Sequence, residues 1–211
     1  MSLVKHNNNS ISAVTSMASL TTGSMTLIKE QTASSSASIS FVDGTSDVVL
    51  DSTYPIYKFE FINCHPASNS VTFRFNLSTD GGSNYNVTKT TTAFVSLNAE
   101  NDSASALGYQ TNWDLAQSTS DQILVTTMNT ASDESASGTM YLFNPSSTTF
   151  VKHFIATSNF IYNDTVSAIF SQNWFVAGYG NTTSAINGVR FQMSSGNIDS
   201  GTIKLYGIKD S

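Results

Sequence analysis

Hydrophobic and polar residues alternate most regularly in Tyr57-Lys58-Phe59-Glu60-Phe61, where aromatic rings fall on one side of an extended chain and charges on the other. Val71-Thr72-Phe73-Arg74-Phe75-Asn76-Leu77 repeats that pattern. Near the end of the chain, Ile203, Leu205 and Gly207 share one face of a strand, and Thr202, Lys204, Tyr206 and Ile208 share the other. Further strands are predicted over Thr26–Glu30, Ala37–Phe41, Thr91–Leu97, Gln122–Met128, Ser137–Phe143, Thr149–Ala156, Asn173–Tyr179 and Ala185–Met193. Asp43-Gly44 suits a hairpin, Asp80-Gly81-Gly82 a tight hairpin turn, and Ser195-Gly196-Asn197 opens the cluster of turn residues before the last strand. Leu107–Gln117 fits one short helix or a loop. About ten short strands with this spacing predict an all-β fold, a jelly-roll-like antiparallel β-sandwich, rather than a barrel or a helical bundle. No heptad and no solenoid repeat runs through the chain, which argues against a coiled-coil shaft or a β-helix.

The first 23 residues break the pattern. They are small and polar, with Leu3, Val4, Ile11, Val14, Met17 and Leu20 at no sustained period. The chain therefore divides into an extended N-terminal arm, residues 1–23, and a β-sandwich domain, residues 24–211.

Composition narrows the function. Hydrophobic residues make up 39% of the 211 and charged residues only 11%, so solubility rests on Ser, Thr and Asn. Thr favours strands, while Ser and Asn favour turns and compete with helical hydrogen bonds, which again points to β-structure. A net charge of −6 with no basic cluster argues against nucleic acid as a partner. Cys64 is the only cysteine, so no internal disulfide can form and stability must come from packing or assembly. The sequence after Met1 lacks the apolar core of a signal peptide, and no stretch has the length of a membrane span. The expectation is a protein made in a cytoplasm, with no membrane insertion.

Candidate chemistry is sparse. His6, His65 and His153 show no metal-ligand spacing, so neither a metal nor another cofactor is expected. Cys64 and His65 cannot act as a nucleophile pair if they are neighbours on one strand, because their side chains then point to opposite faces. Glycan cleavage needs two carboxylates across a groove. The available carboxylates, among them Glu60, Asp114, Asp121, Glu134 and Asp199, are mostly explained by turns, so no enzyme activity is expected. Aromatic residues among Asn, Ser and Thr are the residue types that stack on sugars, and Tyr109 and Trp113, flanking a polar stretch, are the candidate glycan-binding pair. Trp174 and Phe175 are assigned to the core.

The C-terminal words SGNIDSGTIKLYGIK, from Ser195 to Lys209, resemble the C-terminal signature of a family of virion structural proteins of tailed bacteriophages. Ser78-Thr79-Asp80-Gly81-Gly82-Ser83-Asn84-Tyr85 and the segment Asn144–Phe154 match the same family in the same order. The resemblance spans roughly residues 24 to 209 and brings no catalytic residues with it. It implies a non-enzymatic virion protein, a surface-exposed fibre or capsid-decoration subunit. Such a subunit would assemble as a homotrimer and attach to other virion proteins, of capsid or tail, through an arm anchored by Leu3, Val4 and Ile11. The alternative is an adhesion module of a phage fibre that binds host-surface glycan.

Overall fold

The computed structural model describes residues 24–164 and 168–209, so the arm carrying Leu3, Val4 and Ile11 lies outside the described residues. Twelve strands follow one another: β1 (Met25–Thr32), β2 (Ile39–Val42), β3 (Ile56–Pro66), β4 (Val71–Ser78), β5 (Lys89–Ala99), β6 (Ser105–Tyr109), β7 (Gln122–Met128), β8 (Ala136–Phe143), β9 (Lys152–Asp164), β10 (Ala168–Gly180), β11 (Gly188–Met193) and β12 (Ile198–Ile208). No helix occurs among the described residues. The strands form a large sheet in the order β1-β12-β3-β8-β9-β10-β5-β6 and a small sheet in the order β2-β11-β4-β7, antiparallel throughout.

Setting aside the hairpins β5–β6 and β9–β10, four strands remain in each sheet: β1-β12-β3-β8 and β2-β11-β4-β7. Early and late strands pair in both, the arrangement of an eight-stranded jelly roll with two interleaved Greek keys. The two extra hairpins widen the large sheet beyond β8. This topology corrects the two hairpins expected from sequence. The turns are present, with Gly44, Gly81 and Gly82 at φ of 73°, 70° and 80°. However, β2 pairs with β11 and β4 with β11 and β7, so each of the two turns carries the chain across to the opposite sheet. A glycine turn sets where the chain reverses; the partner is set by which apolar faces can be buried against each other. In the second turn, Asp80 accepts hydrogen bonds from the side-chain amide and backbone N–H of Asn84 and from the Ser78 hydroxyl, which hold its carboxyl down at about 2.

The alternation read from sequence is borne out in β3 and β12. Tyr57, Phe59, Phe61, Ile203 and Leu205 are buried between the sheets, while Lys58, Glu60 and Lys204 face outward. Gly207 is inward as expected, and the Tyr54 ring occupies the space its side chain would take. Phe191 of β11 is the centre of the core, with ring centroids 5.1 Å from Phe61, 5.3 Å from Phe59, 6.0 Å from Phe73, 6.3 Å from Phe75 and 6.4 Å from Phe41. Most of these contacts are edge-on or tilted, the geometry aromatic quadrupoles favour. Cys64 is fully buried, and desolvation pushes its thiol up to about 12, which leaves it unreactive.

Three expectations need correction. The 107–117 stretch, expected as one short helix or a loop, contains no helix: Ser105–Tyr109 is the edge strand β6, held by backbone pairing to β5 despite Gly108 and despite Leu107 lying 79% exposed, and only residues 110–117 form the loop. β9 and β10 extend far past their expected limits through Ser158-Asn159 and Ser171-Gln172. These residues have weak strand propensity and are kept extended by a thirteen-pair ladder. Finally, only Trp174 of the Trp174-Phe175 pair enters the core; Phe175 is half-buried on the outer face, as the period of two requires.

Candidate functional site

The widened end of the large sheet carries Tyr109, one of the two candidate glycan-binding residues, beside two phenylalanines. Tyr109 on β6, Phe94 on β5 and Phe175 on β10 form one cross-strand row facing away from the core. Ring centroids are 5.4 Å apart between Tyr109 and Phe94, and 6.1 Å between Phe94 and Phe175. Tyr109 is 45% exposed. Its hydroxyl donates to Asp114 Oδ2 at 2.5 Å, an interaction that raises the phenol's pKa because the carboxylate favours the protonated form. Trp113 is placed differently. It is half-buried, edge-on to Trp174 with centroids 6.5 Å apart, and packed against the core. Its carbonyl accepts a hydrogen bond from the Gln122 side chain. Of the two candidate residues, Tyr109 presents its ring to solvent and Trp113 supports the loop from below.

The next rows of the same outer face hold a shallow, largely apolar trough of about 480 Å³. Ala177 forms part of its floor between Thr92 and Ile155, and Tyr179 and His153 stand together along one side with ring centroids 6.0 Å apart. Towards β1, the outward face becomes charged and self-paired. Lys58 Nζ lies 2.6 Å from Glu60 and about 6 Å from the ring centroids of Tyr141 and Tyr206, and Lys204 lies 3.1 Å from Glu30. The Lys58 contact lowers the Glu60 pKa and raises that of Lys58, mutual stabilisation of the two charged forms.

Alternation assigns each strand a single buried side and so hides the apolar outer face. Ala93-Phe94-Val95, Phe154-Ile155-Ala156 and Trp174-Phe175-Val176-Ala177 are continuous apolar runs, the signature of a strand covered on both faces.

Polar clefts lie beside the loop before β8. One is lined by Asn63, His65, Ser132, Ser135, Asp199 and Ser200, with His65 Nδ1 3.5 Å from Asp199; the other includes Asn69, Asn129, Thr130 and Glu134. Each contains a single carboxylate, whereas glycoside hydrolysis uses two across the bond to be cut. Among the described residues no three His, Cys, Asp or Glu side chains converge as a metal site.

Comparison of the chain with protein-family models, with curated proteins and with solved structures returns no match.

Proposed function

We propose that this chain is a bacteriophage virion structural protein, a non-enzymatic fibre or capsid-decoration subunit on the particle surface. It assembles as a homotrimer and is held to capsid or tail proteins through residues 1–23. The observation that carries the assembly part of this reading is the apolar outer face formed by Leu107, Phe94, Tyr109, Phe175 and Ile155. A chain with 11% charged residues has little charge with which to keep such a patch soluble, and apolar patches rimmed by polar residues mark association surfaces. The adjacent edge strand β6 adds unpaired backbone groups that association would cover. The virion assignment itself is supported by the resemblance of the Ser195–Lys209, Ser78–Tyr85 and Asn144–Phe154 segments, in order, to tailed-phage structural proteins.

Native mass spectrometry of the purified chain should show a trimer. Phe94→Ser combined with Leu107→Lys should convert it to a folded monomer. A monomeric native protein would overturn the trimer, and a trimer unaffected by the double substitution would move the interface elsewhere.

The host-glycan adhesion reading is favoured by one feature, the exposed Tyr109 ring fixed by Asp114 beside Gln110 and Asn112. It predicts binding to host-surface polysaccharide that Tyr109→Ala abolishes. Binding that survives this substitution would exclude the site.

A further inference from the structure

Among the described residues of this sparsely charged chain, two lysines, Lys89 and Lys152, are fully buried. Lys152 is satisfied by backbone oxygens, donating to the carbonyls of Phe150 and Thr182. Lys89 is not held in that way alone. Its Nζ donates to Asn76 Oδ1 at 2.6 Å and to the Val87 carbonyl at 2.7 Å, and no carboxylate among the described residues is within ion-pair distance of it.

Asn76 is 2% exposed, and every contact orients its amide. Oδ1 accepts from the Leu77 N–H as well as from Lys89, whereas Nδ2 donates to the Thr119 carbonyl and, at 2.8 Å, to Asp121 Oδ1. Asp121 is itself fixed: its Oδ2 accepts from Gln192 Nε2 at 2.6 Å, and Arg190 lies 3.7 Å from Oδ1. An amine, a carboxamide carbon and a carboxylate are thus brought together where β4, the start of β5 and the segment leading to β7 meet.

We propose that Lys89 and Asn76 join in an intramolecular amide bond, with Asp121 relaying the proton. The neutral Lys89 amine attacks Asn76 Cγ, so that the Nζ–Cγ bond forms. In the tetrahedral intermediate the Leu77 N–H stabilises charge on Oδ1. Once Nζ and Nδ2 share the Cγ carbon, Asp121, already bonded to Nδ2 through Oδ1, comes within reach of the Nζ proton, takes it and delivers it to Nδ2; the Cγ–Nδ2 bond breaks, and Nδ2 leaves as ammonia. The products are a secondary amide and ammonia; no electrons are exchanged and no co-reactant is needed. Burial supports the first step, because desolvation lowers the Lys89 pKa to about 8 against the weaker opposing pull of Asp121. Roughly a tenth of the amine is therefore neutral at pH 7. Fixed proximity supplies the remaining advantage.

The bond would tie β4 of the small sheet to β5 of the large one, across the sandwich, in a chain whose single cysteine, Cys64, cannot form an internal disulfide. It would also replace a buried ammonium by a neutral amide.

The test is the intact mass of the purified full chain with peptide mapping. The expected result is a mass lower than that of the sequence by one ammonia, about 17 Da, and a branched peptide linking Asn76 to Lys89. Asn76→Ala and Lys89→Met should each show the full mass of their own sequences. Asp121→Asn, which keeps both reacting groups, should leave an uncrosslinked fraction. Full mass in the wild-type protein after prolonged incubation at pH 9, where Lys89 is mostly neutral, would overturn the proposal. So would ammonia loss without the branched peptide, as from a succinimide at Asn187-Gly188.

Discussion

Ile203→Asp should unfold the domain. Ile203 is fully buried in β12, which lies between β1 and β3 in the large sheet and is paired with both. The substitution removes about 1.5–3 kcal/mol of side-chain burial and adds the several kcal/mol cost of an unpaired charge in an apolar interior. A domain of this size has about 5–15 kcal/mol in total. Loss of the near-ultraviolet circular dichroism signal and aggregation on concentration are the expected observations. Lys204→Ser is the control. It removes only the outer-face contact to Glu30, so its urea midpoint should stay close to that of the native chain. If Lys204→Ser unfolds the domain and Ile203→Asp does not, the face assignment of the last strand is reversed.

Phe191→Ala should be the most costly large-to-small substitution in the core. The side chain is fully buried and stands against five other phenylalanine rings drawn from β2, β3 and β4. Rings from both sheets surround the site and cannot all move in to fill it, so the loss should reach about 3–5 kcal/mol in urea unfolding. A loss below about 1 kcal/mol would mean that the rings collapse onto the vacated space and that Phe191 is not the centre of the packing.

Much of this fold can be read from the sequence because its information is local. Tyr57-Lys58-Phe59-Glu60-Phe61 and Thr202–Ile208 announce both the strand and its buried side through side-chain period alone. Partner choice is not local. Nothing in Asp43-Gly44 or Asp80-Gly81-Gly82 distinguishes a hairpin from a crossing to the other sheet, and the jelly-roll order follows from burying all the aromatic faces together. β6 was illegible for a related reason: Leu107 and Tyr109 face outward, and only backbone pairing to β5 makes that stretch a strand.

The candidate site was legible in part. Tyr109 was found from its residue type and neighbours, whereas Phe94 and Phe175 were hidden inside apolar runs that also serve the core. The Lys89–Asn76–Asp121 corner left no sequence signal. A lysine at the start of a strand normally reaches solvent. Here the 79–88 connection and the segment leading to β7 close over it, with Lys89 and Ser118 exchanging backbone hydrogen bonds.

We propose that this chain is a virion subunit attached through its first 23 residues. Mass spectrometry of purified phage particles, assembled in parallel with the full chain and with a chain lacking residues 2–23, tests it most directly. The full chain should be present on the particle, and the shortened chain should be soluble, folded and absent from it. Particles that lack the full chain, or that incorporate the shortened chain equally well, would contradict attachment through the arm.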